Sequence, residues 1–363
     1  MRAATAPRAA REVRLLVVDG VSGAARVVSS AEIATLFEPR DLLVVNDAAT
    51  VPASLPGRTA RGEALELRLV AQTGDRRWTA ALLGSGDWRT RTEERPAPPP
   101  VVAGDRLVFG GSLVARVLGV RPESSRLVEI DLALDAAPEP ELAGVWAALY
   151  RAGRPVQYAH VPEPLALWDV QNVYAARPWA VEMPSAGRVL DAAALLALRR
   201  RGVALAWVTH AAGLSSIGDA ALDALLPLPE RYEVSEETWE AIARTRRAGG
   251  RVVAIGTSVA RALEGGAREG KRAGVTDLKI GRGLRRAVVD AVLTGVHEAD
   301  TSHYALLGAF ASEEVLERAL AHADAAGLLG HEMGDACLVW GEPRQPGKSR
   351  RLTLESVLTR ARL

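Results

Sequence analysis

The feature that most constrains the fold is a change of hydrophobic period in the first half of the chain. Across residues 61–134 apolar and polar residues alternate, in GEALELRLVAQ, RRWTAALLG, DRLVFGG, SLVARVLGV and SRLVEIDLAL. Short period-two segments broken by Gly, Asp, Pro or Ser predict a small antiparallel barrel or sandwich of about five or six strands. The proline-rich residues 96–100 lie inside this block and read as a stiff connection. Pro52 and Pro56-Gly57 punctuate its start, and Pro138 and Pro140 close it.

On both sides the pattern is of strands alternating with helices. Residues 14–19 read as a strand, 20–23 as a turn, the run from Ser30 as a short capped helix, and 41–46 as a buried strand. After Arg154, Asp191 is placed to cap ALLALRRR, whose arginines sit at the negative helix end, and Gly202 to stop it. A strand over 203–209 then delivers His210. Ser235 opens a helix that ends at Gly249-Gly250, and 252–255 form the next strand. Residues 287–293 and 337–340 read as further strands, and Ser312 caps a helix running to about Ala325. The predicted fold class is α/β: a large mixed-sheet domain (1–56 and 141–341) with a small antiparallel β-barrel domain (57–140) inserted. The basic tail, 342–363, reads as a solvated helix.

At 363 residues and 48% hydrophobic content, the chain can bury more than one core. The 45 basic and 44 acidic residues leave a net charge of +1, which argues against general attraction to polyanions. Cys337 is the only cysteine, which excludes an intrachain disulfide and a cysteine-rich zinc site. No apolar run approaches the ~20 residues that span a bilayer. The N-terminal residues lack the apolar core of a secretory signal. The expected location is the cytoplasm.

Candidate site residues fall where predicted strands end. In RVVAIGTSVARALE, residues 251–264, a strand meets a Gly256-Thr257-Ser258 turn and a helix. Such a turn offers free N–H groups, hydroxyls and the positive helix end, a seat for a carboxylate or phosphate. The bland alternative is a simple cap, with Arg261 bridging to Glu264. Asn46 and Asp47 offer an amide and a carboxylate for a ribose diol or an amine, or merely a turn. Ser185 and Gly187, in a Pro-Ser-Ala-Gly turn, suit a flat ring or only turn chemistry. His210 precedes Gly213 and Ser216 in a loop and reads as a proton-transfer candidate. His297, Glu298 and His303 invite a metal reading, but the i, i+6 spacing does not share one helical face. Only a loop could gather them with His331 and Glu332. No metal is therefore expected. G-x-S-x-G, G-x-G-x-x-G and Walker patterns are missing, which weighs against serine-hydrolase, dinucleotide and P-loop readings.

Taken together, several blocks resemble the S-adenosylmethionine:tRNA ribosyltransferase-isomerase family of queuosine biosynthesis. They are DLLVVND ending at Asp47, VQNVYA from Val170, PSAG from Pro184, RYEVSEET from Arg231, GGRVVAIGTSVARALE from Gly249, VVDAVLTGVH ending at His297, GAFAS from Gly308 and GDACLV from Gly334. The resemblance implies an α/β domain carrying an inserted barrel. It also implies S-adenosylmethionine as a substrate and tRNA as the acceptor. In that chemistry a base takes a proton from the ribose C5′, adenine leaves, the amine of 7-aminomethyl-7-deazaguanine attacks, and methionine departs. His210 and His297 become the proton-transfer candidates. Asn46, Asp47, Ser185, Gly187, Gly213, Ser216, Gly256, Thr257, Ser258, Arg261, Ser302 and His303 become binding candidates. Asn46, Asp47, Ser185, His210, Thr257, Ser258 and His297 are expected to converge at one sheet edge.

The chain differs from the family pattern at Ala48-Ala49, Arg188-Val189-Leu190, Ala211-Ala212 and 225–230. These differences leave open a paralogue with a small-molecule acceptor and a non-catalytic nucleoside- or tRNA-binding protein.

Overall fold

The structure is a computed structural model and describes residues 1–135 and 141–342. Pro138, Pro140 and the basic tail beyond Glu342 lie outside the described residues.

Nine strands form the main sheet. Their order is Ala273–Thr276, Glu230–Val234, Ala204–His210, Leu42–Asn46, Val252–Ile255, Ala291–Gly295, Ala336–Trp340, Arg14–Asp19 and Ala25–Ser29. The four from Ala204–His210 to Ala291–Gly295 run parallel, in register Val208↔Asn46, Val253↔Leu43 and Ile255↔Leu293. Their carboxyl ends therefore finish side by side. Both faces are covered, which explains the unbroken apolar runs. Leu42 and Val44 pack with Trp239, Ile242, Val259 and Leu263 on one side. Leu43 and Val45, pointing the other way, pack with Ile33, Phe37, Val189 and Leu198.

Local signals place many boundaries. Asp191, Ser235 and Ser312 each accept a hydrogen bond from a first-turn backbone N–H and start Ala192–Arg200, Glu236–Arg247 and Glu313–Ala325. Gly202, at φ +79, ends the first of these. Near the N-terminus the helix is a 3₁₀ stretch, Ser30–Leu36, and its capping hydroxyl belongs to Ser29 rather than Ser30. One strand is misplaced by sequence. The apolar run at 287–293 enters the sheet only from Ala291, because the amides of Ala287, Val288 and Val289 donate to the buried carboxylate of Glu264.

The alternating block is a closed six-stranded antiparallel barrel. Its order is Leu113–Val120, Leu127–Leu134, Arg77–Leu83, Ala64–Gln72, Ser54–Thr59 and Arg106–Phe109. Ser54–Thr59 corrects the reading of Pro56-Gly57 as mere punctuation. Pairing with Arg106–Phe109 begins only at Gly57, so Pro56 lies beyond that ladder. On the face of Ala64–Gln72 opposite the core leucines Leu65, Leu67 and Leu69, Glu66 joins two buried arginines, Arg68 Nε at 2.7 Å and Arg95 Nη1 at 2.6 Å. Burial works to raise the Glu66 pKa; Arg68 and Arg95 outweigh it and hold the carboxyl below its usual range. The helix Leu142–Ala152 and the side chains of Leu214, Ile217 and Leu222 complete the barrel core. Chain entry and exit are fastened together, Ser54 N to Arg154 O at 2.9 Å and Arg154 N to Ser54 O at 2.8 Å.

Candidate active site at the strand carboxyl ends

Asn46, His210, the Gly256 turn and Thr294 end the four parallel strands, and the site grows from them. Asn46 is buried and uses its amide locally. Its Nδ2 donates to His210 O (2.9 Å) and Ser258 Oγ (3.4 Å), and its Oδ1 accepts from His210 N (2.9 Å) and Ala48 N (3.0 Å). Asn46 thus clamps two strand ends and steers the Ser258 hydroxyl. Gly256, at φ +108, turns the chain into the helix Thr257–Glu269 and gives no side-chain cap. Thr257 and Ser258, both partly exposed, stand at the positive end of this helix.

Next to Asn46, His210 is fully buried and both ring nitrogens lack hydrogen-bond partners. Its Nε2 lies 3.4 Å from Glu230 Oε2, outside hydrogen-bond geometry. Glu230 is engaged elsewhere: it pairs with Arg261 and accepts from Gly213 N at 2.6 Å. Burial, then the Arg261 charge, hold the His210 pKa well below its ordinary 6.5. The imidazole is neutral in the folded protein while the unfolded chain protonates near 6.5. The stability this confers is complete above that pH and drains as the pH falls below it, by about 1.4 kcal/mol per pH unit. His210→Gln is expected to flatten this acid limb in urea unfolding measured from about pH 7 to about pH 5. An unchanged limb would mean that His210 takes up its proton freely in the fold.

Beyond the strand Ala291–Gly295, Thr294 Oγ1 lies 2.8 Å from His297 Nε2. The ring stacks on His303 with centroids 4.7 Å apart. A Cβ on Gly295 would come 3.3 Å from the ring, so glycine leaves room for it. Burial first, then His303 and His331, push the His297 pKa well below 6.5. His303 is lowered by burial and by Arg261. His297 is therefore a neutral base at neutral pH and, unlike His210, is only partly buried. Ser185 lines a shallow cavity with Arg188, Thr294, Gly295, His331 and Glu332.

Other candidates are committed elsewhere. Asp47 faces away from Asn46, accepts from Thr209 Oγ1 at 2.6 Å and feels Arg177. Burial raises its pKa. A Cβ on Gly187 would meet the Tyr174 hydroxyl at 2.1 Å, so packing alone requires this glycine. Ser216 bonds Asp223 Oδ2 at 3.0 Å. Ser302 is exposed at the start of the helix Ser302–Leu307. Arg261 bridges not to Glu264 but to Glu230, and also donates to the carbonyls of Leu278, Leu228 and Thr276. Burial brings its pKa down to about 10. Glu264 pairs instead with Arg268 at 2.7 Å.

Sequence reasoning missed Glu230, the hub beneath His210, Arg261 and Gly213. It also missed Glu182, which accepts from the hydroxyls of Tyr158 and Ser215 and from Ser215 N at 2.8 Å. Burial raises the Glu182 pKa. Tyr158 carries the connection into the barrel, since Arg68 sits 5.5 Å from its ring centre. No local pattern marks these residues.

A mixed sheet whose central parallel strands carry imidazoles, hydroxyls and a helix N-terminus at their carboxyl ends, beside a closed barrel, defines an α/β protein with a polar site at the sheet edge. The chain belongs to the queuosine biosynthesis protein family, whose model matches residues 1–339. It is similar to the S-adenosylmethionine:tRNA ribosyltransferase-isomerase of Azoarcus sp. (strain BH72), 34% identical over 346 residues and 93% of each chain. The enzyme of that name from Burkholderia pseudomallei (strain 1106a) is 33% identical over 344 residues, 90% of this chain and 89% of that one. A crystal structure of an S-adenosylmethionine tRNA ribosyltransferase from Thermotoga maritima matches with a TM-score of 0.49 at 23% identity, covering 93% and 95% of the two chains.

Proposed function

We propose that this chain transfers and isomerises the ribosyl unit of S-adenosylmethionine onto 7-aminomethyl-7-deazaguanine in tRNA, releasing adenine and methionine. The observation that carries this reading is similarity along nearly the full length to enzymes of that name. His297 serves as the base that takes the C5′ proton, which the neighbouring sulfonium acidifies. Its neutral state and the Thr294 contact support this assignment. Thr257 and Ser258 bind the methionine carboxylate or the ribose at the helix N-terminus. His210, sealed from solvent, shapes the pocket floor through Asn46 and reaches substrate only if the pocket opens. The transfer itself runs on acid–base chemistry, without a metal ion. A tRNA acceptor implies work in the cytoplasm; among the described residues no helix is long and apolar enough to cross a membrane.

The test is incubation of purified protein with S-adenosylmethionine, with and without tRNA bearing the aminomethyl base, and detection of free adenine by mass spectrometry. Adenine that depends on tRNA is the expected result. Adenine formed without tRNA would point to a paralogue with another acceptor, and none under either condition would point to a binding protein.

A further inference from the structure

We infer that His160, His331 and Glu332 form a binding site for one divalent transition-metal cation. His160 lies on the segment returning from the barrel, while His331 and Glu332 lie in the turn before the strand Ala336–Trp340. The fold brings one donor atom from each to within 4.8 Å of the others. His160 Nε2 and Glu332 Oε1 are 3.0 Å apart, and the two imidazoles have centroids 4.3 Å apart. Bonds of about 2.0–2.1 Å to a tetrahedral ion separate its ligands by roughly 3.3 Å, so small side-chain turns suffice. Two imidazoles and one carboxylate select zinc, cobalt or nickel over magnesium or calcium, which demand oxygen.

The surroundings hold these donors in place. His160 stacks on Tyr158, whose hydroxyl is tied to Glu182. The turn of His331 and Glu332 is fixed by Asp335, whose carboxylate accepts from Leu329 N (2.9 Å), Arg14 N (2.8 Å) and Arg8 Nη1 (2.9 Å). Arg188, which lines the same cavity as His331 and Glu332, spends its guanidinium on the carbonyls of Glu332 and Arg8. His331 is the one non-glycine residue at positive φ, +66, among the described residues. That conformation costs about 1 kcal/mol or more, and it turns two neighbouring side chains toward His160. Three protein ligands leave a fourth position for water, beside the cavity that His331 and Glu332 share with Ser185. The bound ion would pin the barrel's returning segment to the main sheet.

The test uses the full chain without an added histidine tag, stripped by chelator and titrated with Co²⁺. Zn²⁺ is then titrated by calorimetry. The expected result is one equivalent with the visible absorption of a four-coordinate cobalt site, displaced by Zn²⁺, and a Zn²⁺-dependent rise in melting temperature. His160→Ala and Glu332→Gln should each weaken binding beyond the roughly 100-fold seen for outer-shell changes, and abolish the melting shift. His322→Ala, on the exposed face of the helix Glu313–Ala325, should change neither. Circular dichroism of the metal-free variants checks that they fold. Absence of the cobalt signal in the wild type, or equal affinity in folded His160→Ala, would overturn the inference. Neither readout involves turnover, so the result stands apart from the proposed transferase activity.

Discussion

His297→Ala is expected to lower kcat by about 100- to 10,000-fold, the usual worth of a positioned general base, with S-adenosylmethionine affinity changed only a few-fold. The ring is held by Thr294 and stacked on His303, and its burial keeps it neutral. Losing it removes a proton acceptor while leaving the helix N-terminus intact. Thr257→Val gives the contrasting pattern. It deletes one hydrogen bond at the binding turn, so KM should rise by roughly 2- to 13-fold, about 0.5–1.5 kcal/mol, with kcat nearly unchanged. Single-turnover adenine release and equilibrium dialysis separate the two effects. Wild-type turnover in His297→Ala would move the base elsewhere on the sheet edge.

Glu230→Gln is expected to cost about 3–5 kcal/mol of stability, because it strands a buried guanidinium. The Arg261 side chain is 4% exposed and Glu230 12%, and their ion pair lies against the fully buried His210. Urea unfolding should show a lower midpoint with an unchanged slope. Removing the partner as well, in Glu230→Gln/Arg261→Met, should recover part of the loss, since a neutral pair no longer leaves a naked charge. A loss below about 1 kcal/mol in the single variant would show that the pair is solvated and behaves like a surface bridge.

What sequence could reveal follows from the range of the forces involved. Caps at Asp191, Ser235 and Ser312 act over three residues, and the strands Arg14–Asp19 and Val252–Ile255 are apolar runs ended by turn residues. These were readable because the partners are neighbours in the chain. The barrel was readable through its period of two, except for the strand carrying Pro56-Gly57, whose composition mimics a turn. The run at 287–289 reads as a strand, yet its amides answer to Glu264, more than twenty residues away. Glu230 and His160 carried no signal, since their importance comes only from what the fold lays against them. The separation of Asp47 from Asn46 was within reach: adjacent residues at a strand end point to opposite sides.

The backbone fastening between Ser54 and Arg154 has an evolutionary reading. Every strand of the main sheet is supplied by chain before Ser54 or after Arg154. An ancestor with a short loop at that point would already possess the full sheet and its polar edge, because two positions that exchange hydrogen bonds need only a turn to join them. Closing such a gap with a longer insertion costs little chain entropy, since the cost grows with the logarithm of loop length. The barrel is then a graft with one scar. Changes on its outer surface would leave the side chains at the strand ends in place.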